Sequence, residues 1–124
     1  RDRVYISSRK ADTCNETAQR LQKDYGGECI SLPADLSNLE GINALVDELP
    51  EESLDILVNN AGASWGEPID DYSEKGWDKV MDTNLKGAVH TTKIVLRPMM
   101  RKKYGRIINI TSIVGLQGNP GQSN

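Results

Sequence analysis

The chain has 124 residues, 37% of them hydrophobic, which suits one modest globular domain or part of one. Its formal charge of -3 supplies no net positive field to hold phosphodiester backbones or anionic lipid, so nucleic acid and membrane are not expected partners. Cys14 and Cys29 lie far apart, His90 is the single histidine, and no apolar run approaches the roughly 20 residues that cross a bilayer. These features predict neither a disulfide framework nor a metal site, and fit a reducing compartment, the cytoplasm or an organelle matrix.

Arg1-Asp2-Arg3 is not the start of a signal peptide, lacks an initiator Met, and runs at once into Val4-Tyr5-Ile6, as mid-chain sequence does. The first strand is predicted over Arg3 to Ser7. A helix follows, with Cys14, Ala18, Leu21 and Tyr25 on one face and Gly26-Gly27 supplying the left-handed residue that ends it. The second strand is read over Cys29 to Leu32. Ser37 with Glu40 forms a candidate capping box for a second helix, whose stripe of Ile42, Leu45, Val46 and Leu49 stops at Pro50. Leu54 to Val58 is the third strand. The longest helix is predicted from near Ser73, presenting Trp77, Val80, Met81, Leu85, Ala88, Val89 and Leu96, with Pro98 ending or bending it. Arg106 to Ile110 is the fourth strand. Short apolar strands alternating with amphipathic helices predict an α/β chain: βαβ units building a Rossmann-type, doubly wound parallel sheet with helices on both faces.

In such a sheet the ligand sits beyond the carboxyl ends of the strands, so the residues after each strand carry the functional reading. After the first come Ser7-Ser8-Arg9-Lys10, with no acid before Asp12. A NAD-selective site would place a carboxylate there. A guanidinium would instead pair with the 2′-phosphate of NADP(H), making Ser8 and Arg9 cofactor-binding candidates, although basic residues are also common in surface loops. After the second strand, Asp35-Leu36 could receive an adenine amino group, or Asp35 could simply open the next turn. After the third stand Asn59-Asn60-Ala61-Gly62, two amides and two residues small enough for close approach to a flat cofactor.

Asp55-Ile56-Leu57-Val58 followed by Asn59-Asn60-Ala61-Gly62 resembles the classical short-chain dehydrogenase/reductase family. Asn84, a poor helix former midway along the long helix, matches the family's next polar position. Asn109-Ile110-Thr111-Ser112-Ile113-Val114-Gly115 matches the strand that ends in its catalytic serine. The resemblance implies that Ser112 hydrogen-bonds the substrate carbonyl as charge develops on oxygen. It also implies that Asn84 holds a water linking a catalytic lysine to solvent. Taken alone, Asn84 reads as a polar residue on a solvated helix face and Ser112 as the end of a strand.

Leu116 to Asn124 looks closest to 3-oxoacyl-[acyl carrier protein] reductases, where this loop leads into Tyr-x-x-x-Lys. The resemblance thus runs from the second to the fifth strand of the family fold. Residues 1–124 are expected to be part of one NAD(P)-binding domain, without its glycine-rich turn and its Tyr-x-x-x-Lys segment. Alone, the segment is expected to be inactive and not to fold stably. For the longer protein the resemblance implies NADPH-dependent reduction of a 3-oxoacyl thioester or similar ketone, in a dimer or tetramer. A dehydrogenase of a polyol, sugar or steroid alcohol, or a non-catalytic dinucleotide-binding sensor or scaffold, would share these motifs. Ala63-Ser64-Trp65-Gly66 departs from the Ile-Thr-Arg-Asp frequent in the carrier-protein enzymes. Arg97, Arg101, Lys102, Lys103 and Arg106 form a basic cluster that either docks an acyl carrier protein or is a solvated helix end favoured by the helix dipole. His90 is not a catalytic candidate.

Overall fold

The computed structural model describes residues 3–49 and 54–124. They form two compact units, one on each side of the gap, and each is a parallel strand pair joined through helix.

The first unit pairs β1 (Arg3–Ile6) with β2 (Glu28–Ser31), in register Arg3↔Glu28 to Ile6↔Ser31. α1 (Ala11–Tyr25) joins them and buries Cys14 and Ala18. Its predicted fourth contact is absent: Tyr25 is 83% exposed, because the helix ends there and turns away. Gly26 takes φ 73 and donates its N–H to the Gln22 carbonyl at 3.0 Å, a left-handed stop that glycine adopts without a Cβ penalty.

α2 (Leu39–Asp47) starts differently from the predicted capping box. Its cap is Asn38, whose Oδ1 accepts the Gly41 N–H at 2.8 Å. Ser37 is instead turned toward Asp35, its N–H and hydroxyl both donating to Asp35 Oδ1. Ile42, 0% exposed, anchors this helix. The predicted stop at Pro50 lies outside the described residues.

The second unit pairs β3 (Ile56–Asn59) with β4 (Arg106–Asn109), from Ile56↔Arg106 to Asn59↔Asn109. β3 therefore begins two residues later than predicted and takes in Asn59. Three consecutive helical segments connect the strands: α3 (Glu74–Val80), a π-helical turn (Met81–Lys86) and α4 (Gly87–Lys102). Pro98 does not end α4, which continues to Lys102 because Val95 and Met99 stay buried on either side of it. The stop is Lys103, in the left-handed region at φ 54, with its N–H bonded to the Met100 carbonyl.

The buried row of this long helical segment is Gly76, Val80, Gly87, Thr91, Val95 and Met99. Of the predicted apolar stripe, Trp77, Leu85, Val89 and Leu96 are instead exposed. Small residues let α4 approach β3 closely, so bulk alone misidentifies the inward face by about one position. The strands are also less buried than fully covered parallel strands: Ile56, Val58 and Ile108 alternate outward, opposite the face on which α4 packs. A four-residue helix, α5 (Val114–Gln117), follows β4 and had no sequence signal beyond its lack of proline.

Candidate active site

In the first unit, β1 and β2 end level with each other, and the chain beyond them stays hydrogen-bonded. Leu32 N–H donates to Ile6 O at 2.8 Å and Ala34 N–H to Ser8 O at 3.1 Å. Ser8 and Arg9 are exposed on this rim, with Asp35 and Leu36 beside them in half-buried positions. Asp35 Oδ1 receives the Ser37 N–H at 3.0 Å and the Ser37 hydroxyl at 2.7 Å. Those bonds hold its carboxyl below the usual carboxylate range, with the positive charge of Arg9 lowering it further. The turn-forming reading of Asp35 is thus observed, while its second oxygen keeps acceptor capacity. Gly41 is a positioning residue that the sequence reading missed. A Cβ there would lie 2.0 Å from the Asp35 carbonyl oxygen, so only glycine lets α2 begin against this turn. The hydroxyls of Ser7 and Ser31, at the same strand ends, are buried without a hydrogen-bond partner.

In the second unit, the pairing of Asn59 with Asn109 brings the ends of β3 and β4 to one edge. Asn60, Ala61 and Gly62 leave from one strand and Ile110, Thr111 and Ser112 from the other, all exposed. The Asn59 side chain does not project with them. Its Nδ2 donates to Asn109 Oδ1 at 2.8 Å and Thr92 Oγ1 at 3.0 Å, and its Oδ1 accepts the Thr91 hydroxyl at 2.8 Å. It ties β3, β4 and α4 together. Asn84 lies in the π-helical turn, a geometry that is rare and is found often at functional sites. Its Oδ1 accepts the Ala63 N–H at 2.7 Å and its Nδ2 donates to the Ala63 carbonyl at 3.0 Å. One N–H and one lone pair of the amide remain. Ser112 Oγ accepts the Val114 N–H at 3.3 Å, which leaves its own proton to donate.

A Cβ at Gly62 would find Asn84 Oδ1 at 3.7 Å as its nearest neighbour, so the turn is open to an approaching flat group. The exposed small residues leave room for a flat group at this edge, and the Ser112 hydroxyl keeps a proton to donate.

The basic cluster lies at the wrong end of β4 to border this edge. Arg106 opens the strand and Ser112 follows its close, a separation of roughly 20 Å along extended chain. Lys102 is paired with Asp55, and Lys102 and Arg106 sit over the Tyr104 ring at 5.7 and 5.8 Å. A groove of about 330 Å³ beside the cluster is lined by Leu96, Met99, Met100 and Ile107 with Lys103 and Arg106, and includes none of the candidate site residues. Among the described residues no group of three or more His, Cys, Asp or Glu could hold a metal ion, and no helix is long and apolar enough to cross a membrane.

A family model described as short chain dehydrogenase matches residues 2–124. The chain belongs to the short chain dehydrogenase family. A rhamnolipids biosynthesis 3-oxoacyl-[acyl-carrier-protein] reductase of Pseudomonas aeruginosa is 42% identical over 121 residues, covering 92% of this chain and 46% of that protein. Nodulation protein G of Rhizobium sp. (strain N33) is 42% identical over 111 residues, covering 88% and 45%. The solved structure of L-sorbose reductase from Gluconobacter frateurii, complexed with NADPH and L-sorbose, superimposes with a TM-score of 0.91 at 25% identity, over 98% of this chain and 47% of that one. The closed form of serine dehydrogenase complexed with NADP+ gives 0.80 at 35% identity, over 96% and 48%. This short chain dehydrogenase chain spans about half the length of the curated relatives it matches. The likeness bears out the α/β, Rossmann-type fold class and the resemblance to 3-oxoacyl-[acyl carrier protein] reductases.

Proposed function

We propose that the whole protein, with residues 1–124 as part of its NAD(P)-binding domain, reduces a carbonyl group to an alcohol with NADPH. A 3-oxoacyl thioester is the favoured substrate and fatty-acid metabolism the setting. The observation that carries this reading is the shared edge of β3 and β4, where the Asn-Asn-Ala-Gly turn and the Ser112 hydroxyl emerge side by side.

Ser112 is assigned the hydrogen bond to the carbonyl oxygen. Its oxygen accepts from Val114, which aims the hydroxyl without using its proton, and a preset donor stabilises developing negative charge at little reorganisation cost. Asn84 fixes the loop after Gly62 and keeps an N–H and a lone pair to hold a water in the proton path. Asn60, Ala61 and Gly62 are assigned to the nicotinamide side. Asn59 contributes by aligning the two strand ends and not by direct contact. Ser8 and Arg9 are assigned to the 2′-phosphate, Asp35 and Leu36 to the adenine. NADPH supplies the hydride when bound. A tyrosine and lysine in Tyr-x-x-x-Lys spacing, elsewhere in the whole protein, complete proton transfer.

A sugar or polyol substrate is the second reading, supported by the likeness to L-sorbose reductase, while Ala63-Ser64-Trp65-Gly66 departs from the sequence frequent in the carrier-protein enzymes. An acyl carrier protein is a partner under the first reading. Its docking at the basic cluster is disfavoured by the position of Arg106 at the far end of β4. The exposed row of Trp77, Leu85, Val89 and Leu96 supports a homo-oligomer, dimer or tetramer. Two buried free thiols suit the cytoplasm, burial pushing the Cys29 thiol up toward its inert, protonated form.

The test is Ser112→Ala in the full-length protein, assayed with NADPH and either acetoacetyl-coenzyme A or L-sorbose. Loss of kcat by roughly 100-fold or more with NADPH affinity retained supports the assignment. Wild-type kcat refutes it, and the substrate turned over separates the two readings.

A further inference from the structure

The loop after the Asn-Asn-Ala-Gly turn is fixed at both ends. Asn84 holds both backbone groups of Ala63, and Glu67 donates its backbone N–H to the Gly121 carbonyl at 2.9 Å. Trp65, between them, is immobilised from three sides. Its carbonyl accepts the Tyr72 hydroxyl at 2.9 Å, its ring lies so close to Gly76 that a Cβ there would meet it at 2.3 Å, and Lys79 Nζ sits 5.3 Å from its centroid. The Glu67 side chain joins these parts. Its Oε2 accepts the Ser73 N–H and hydroxyl, each at 2.7 Å, which fixes the loop to the start of α3, the helix that carries Gly76. The two loops touch backbone to backbone: a Cβ at Gly66 would lie 3.4 Å from the Gly121 carbonyl oxygen. Asn124 adds a third tie through its Nδ2 to the Gly76 carbonyl at 3.4 Å.

Residues 118–124 continue directly from Ser112 through α5, whose four residues cannot by themselves hold that loop in place. Gly118 and Gly121, both at positive φ, make it conformationally permissive as well. What restrains it is the segment anchored at Asn84. We propose that residues 63–67 act as a strap that sets the loop after Ser112 as a wall of the carbonyl-binding site. Glu67 is its positioning residue, its carboxylate acting through Ser73 and its backbone N–H through Gly121, without touching substrate. This deepens the functional reading above and rests on Ser112 being the carbonyl donor.

The test uses the full-length protein with NADPH and acetoacetyl-coenzyme A. Glu67→Ala is expected to lower kcat roughly 10- to 100-fold, because small misplacement of a site wall is costly to a preorganised reaction. The KM for NADPH should stay within about twofold, since no cofactor contact is removed. Glu67→Gln keeps an oxygen for Ser73 and should recover most of the loss. Gly76→Ala, which displaces the Trp65 ring and leaves Glu67 in place, should reproduce it. Wild-type kcat and ketone KM in Glu67→Ala, beside an inactive Ser112→Ala, overturn the strap and leave the serine's role standing. An active Ser112→Ala overturns the serine's role and the strap with it. Should Glu67→Ala fail to fold, Gly76→Ala decides: unchanged kcat despite an altered indole fluorescence overturns the proposal, and a matching kcat loss supports it.

Discussion

The carboxamide of Asn84 closes a two-bond ring on the backbone of Ala63, accepting its N–H at 2.7 Å and donating to its carbonyl at 3.0 Å. A helix residue thereby fixes a loop 21 positions earlier in the chain. Each bond contributes about 1 kcal/mol in an accessible setting, so Asn84→Ala should cost the full-length protein roughly 1–2 kcal/mol in urea unfolding. Asn84→Asp keeps the acceptor for the Ala63 N–H but sets a second oxygen against the Ala63 carbonyl, and should be no more stable than the alanine variant. If Asn84→Asp unfolds like wild type, the donor bond carries no weight.

Asn59 makes a different prediction from the one its motif suggests. Because its amide is spent on Asn109, Thr92 and Thr91, Asn59→Asp should damage folding before it damages cofactor affinity. A carboxylate oxygen would replace the donor facing Asn109 Oδ1, where two acceptors then meet. A loss of roughly 1–3 kcal/mol is expected in chemical denaturation, with Thr91→Val producing part of it. NADPH affinity lost at wild-type stability would mean that the side chain turns to the cofactor instead.

These two asparagines mark the limit of what the sequence discloses. The four strands, the left-handed stop at Gly26 and the alternation of strand and helix follow from local pattern, and all appear within two residues of their expected places at the strand starts. Local pattern could not show that Asn59 faces inward, since its partners Thr91 and Asn109 come 32 and 50 positions later. Gly41 carries no local signal, because what requires glycine there is the Asp35 carbonyl packed against it. The π-helical turn at Asn84 and the small-residue face of α4 likewise depend on packing, which reverses the usual equation of bulk with burial. Ser112 and the exposed Asn60 to Gly62 were legible because their role depends on where a strand ends, and strand ends are a local property.

Asp35 should titrate below an ordinary aspartate, chiefly because the Ser37 hydroxyl and N–H stabilise its charged form. A folded-state pKa depressed below the unfolded one contributes stability that is complete above the unfolded value and is lost as pH falls through the folded one. Ser37→Ala should therefore raise the Asp35 midpoint toward the usual range and shrink that acid-side contribution. Carboxyl 13C shifts followed through an acid titration of the full-length protein measure it directly. An unmoved midpoint in Ser37→Ala would assign the depression to another cause.

Arg9 gives two independent readouts of one charge. If its guanidinium pairs with the 2′-phosphate, Arg9→Asp in the full-length protein should weaken NADPH by roughly 10- to 100-fold in kcat/KM while NADH changes little or improves, narrowing or inverting the preference. The same substitution replaces a positive neighbour of Asp35 by a negative one, so the Asp35 midpoint should rise with it. The titration tests whether Arg9 faces the Asp35 turn, and the kinetics test whether a phosphate is what that turn receives. A raised Asp35 midpoint with an unchanged NADPH to NADH ratio would keep the geometry and discard the phosphate. Loss of NADPH preference with no movement of Asp35 would instead place Arg9 on the cofactor but away from the adenine side of the rim.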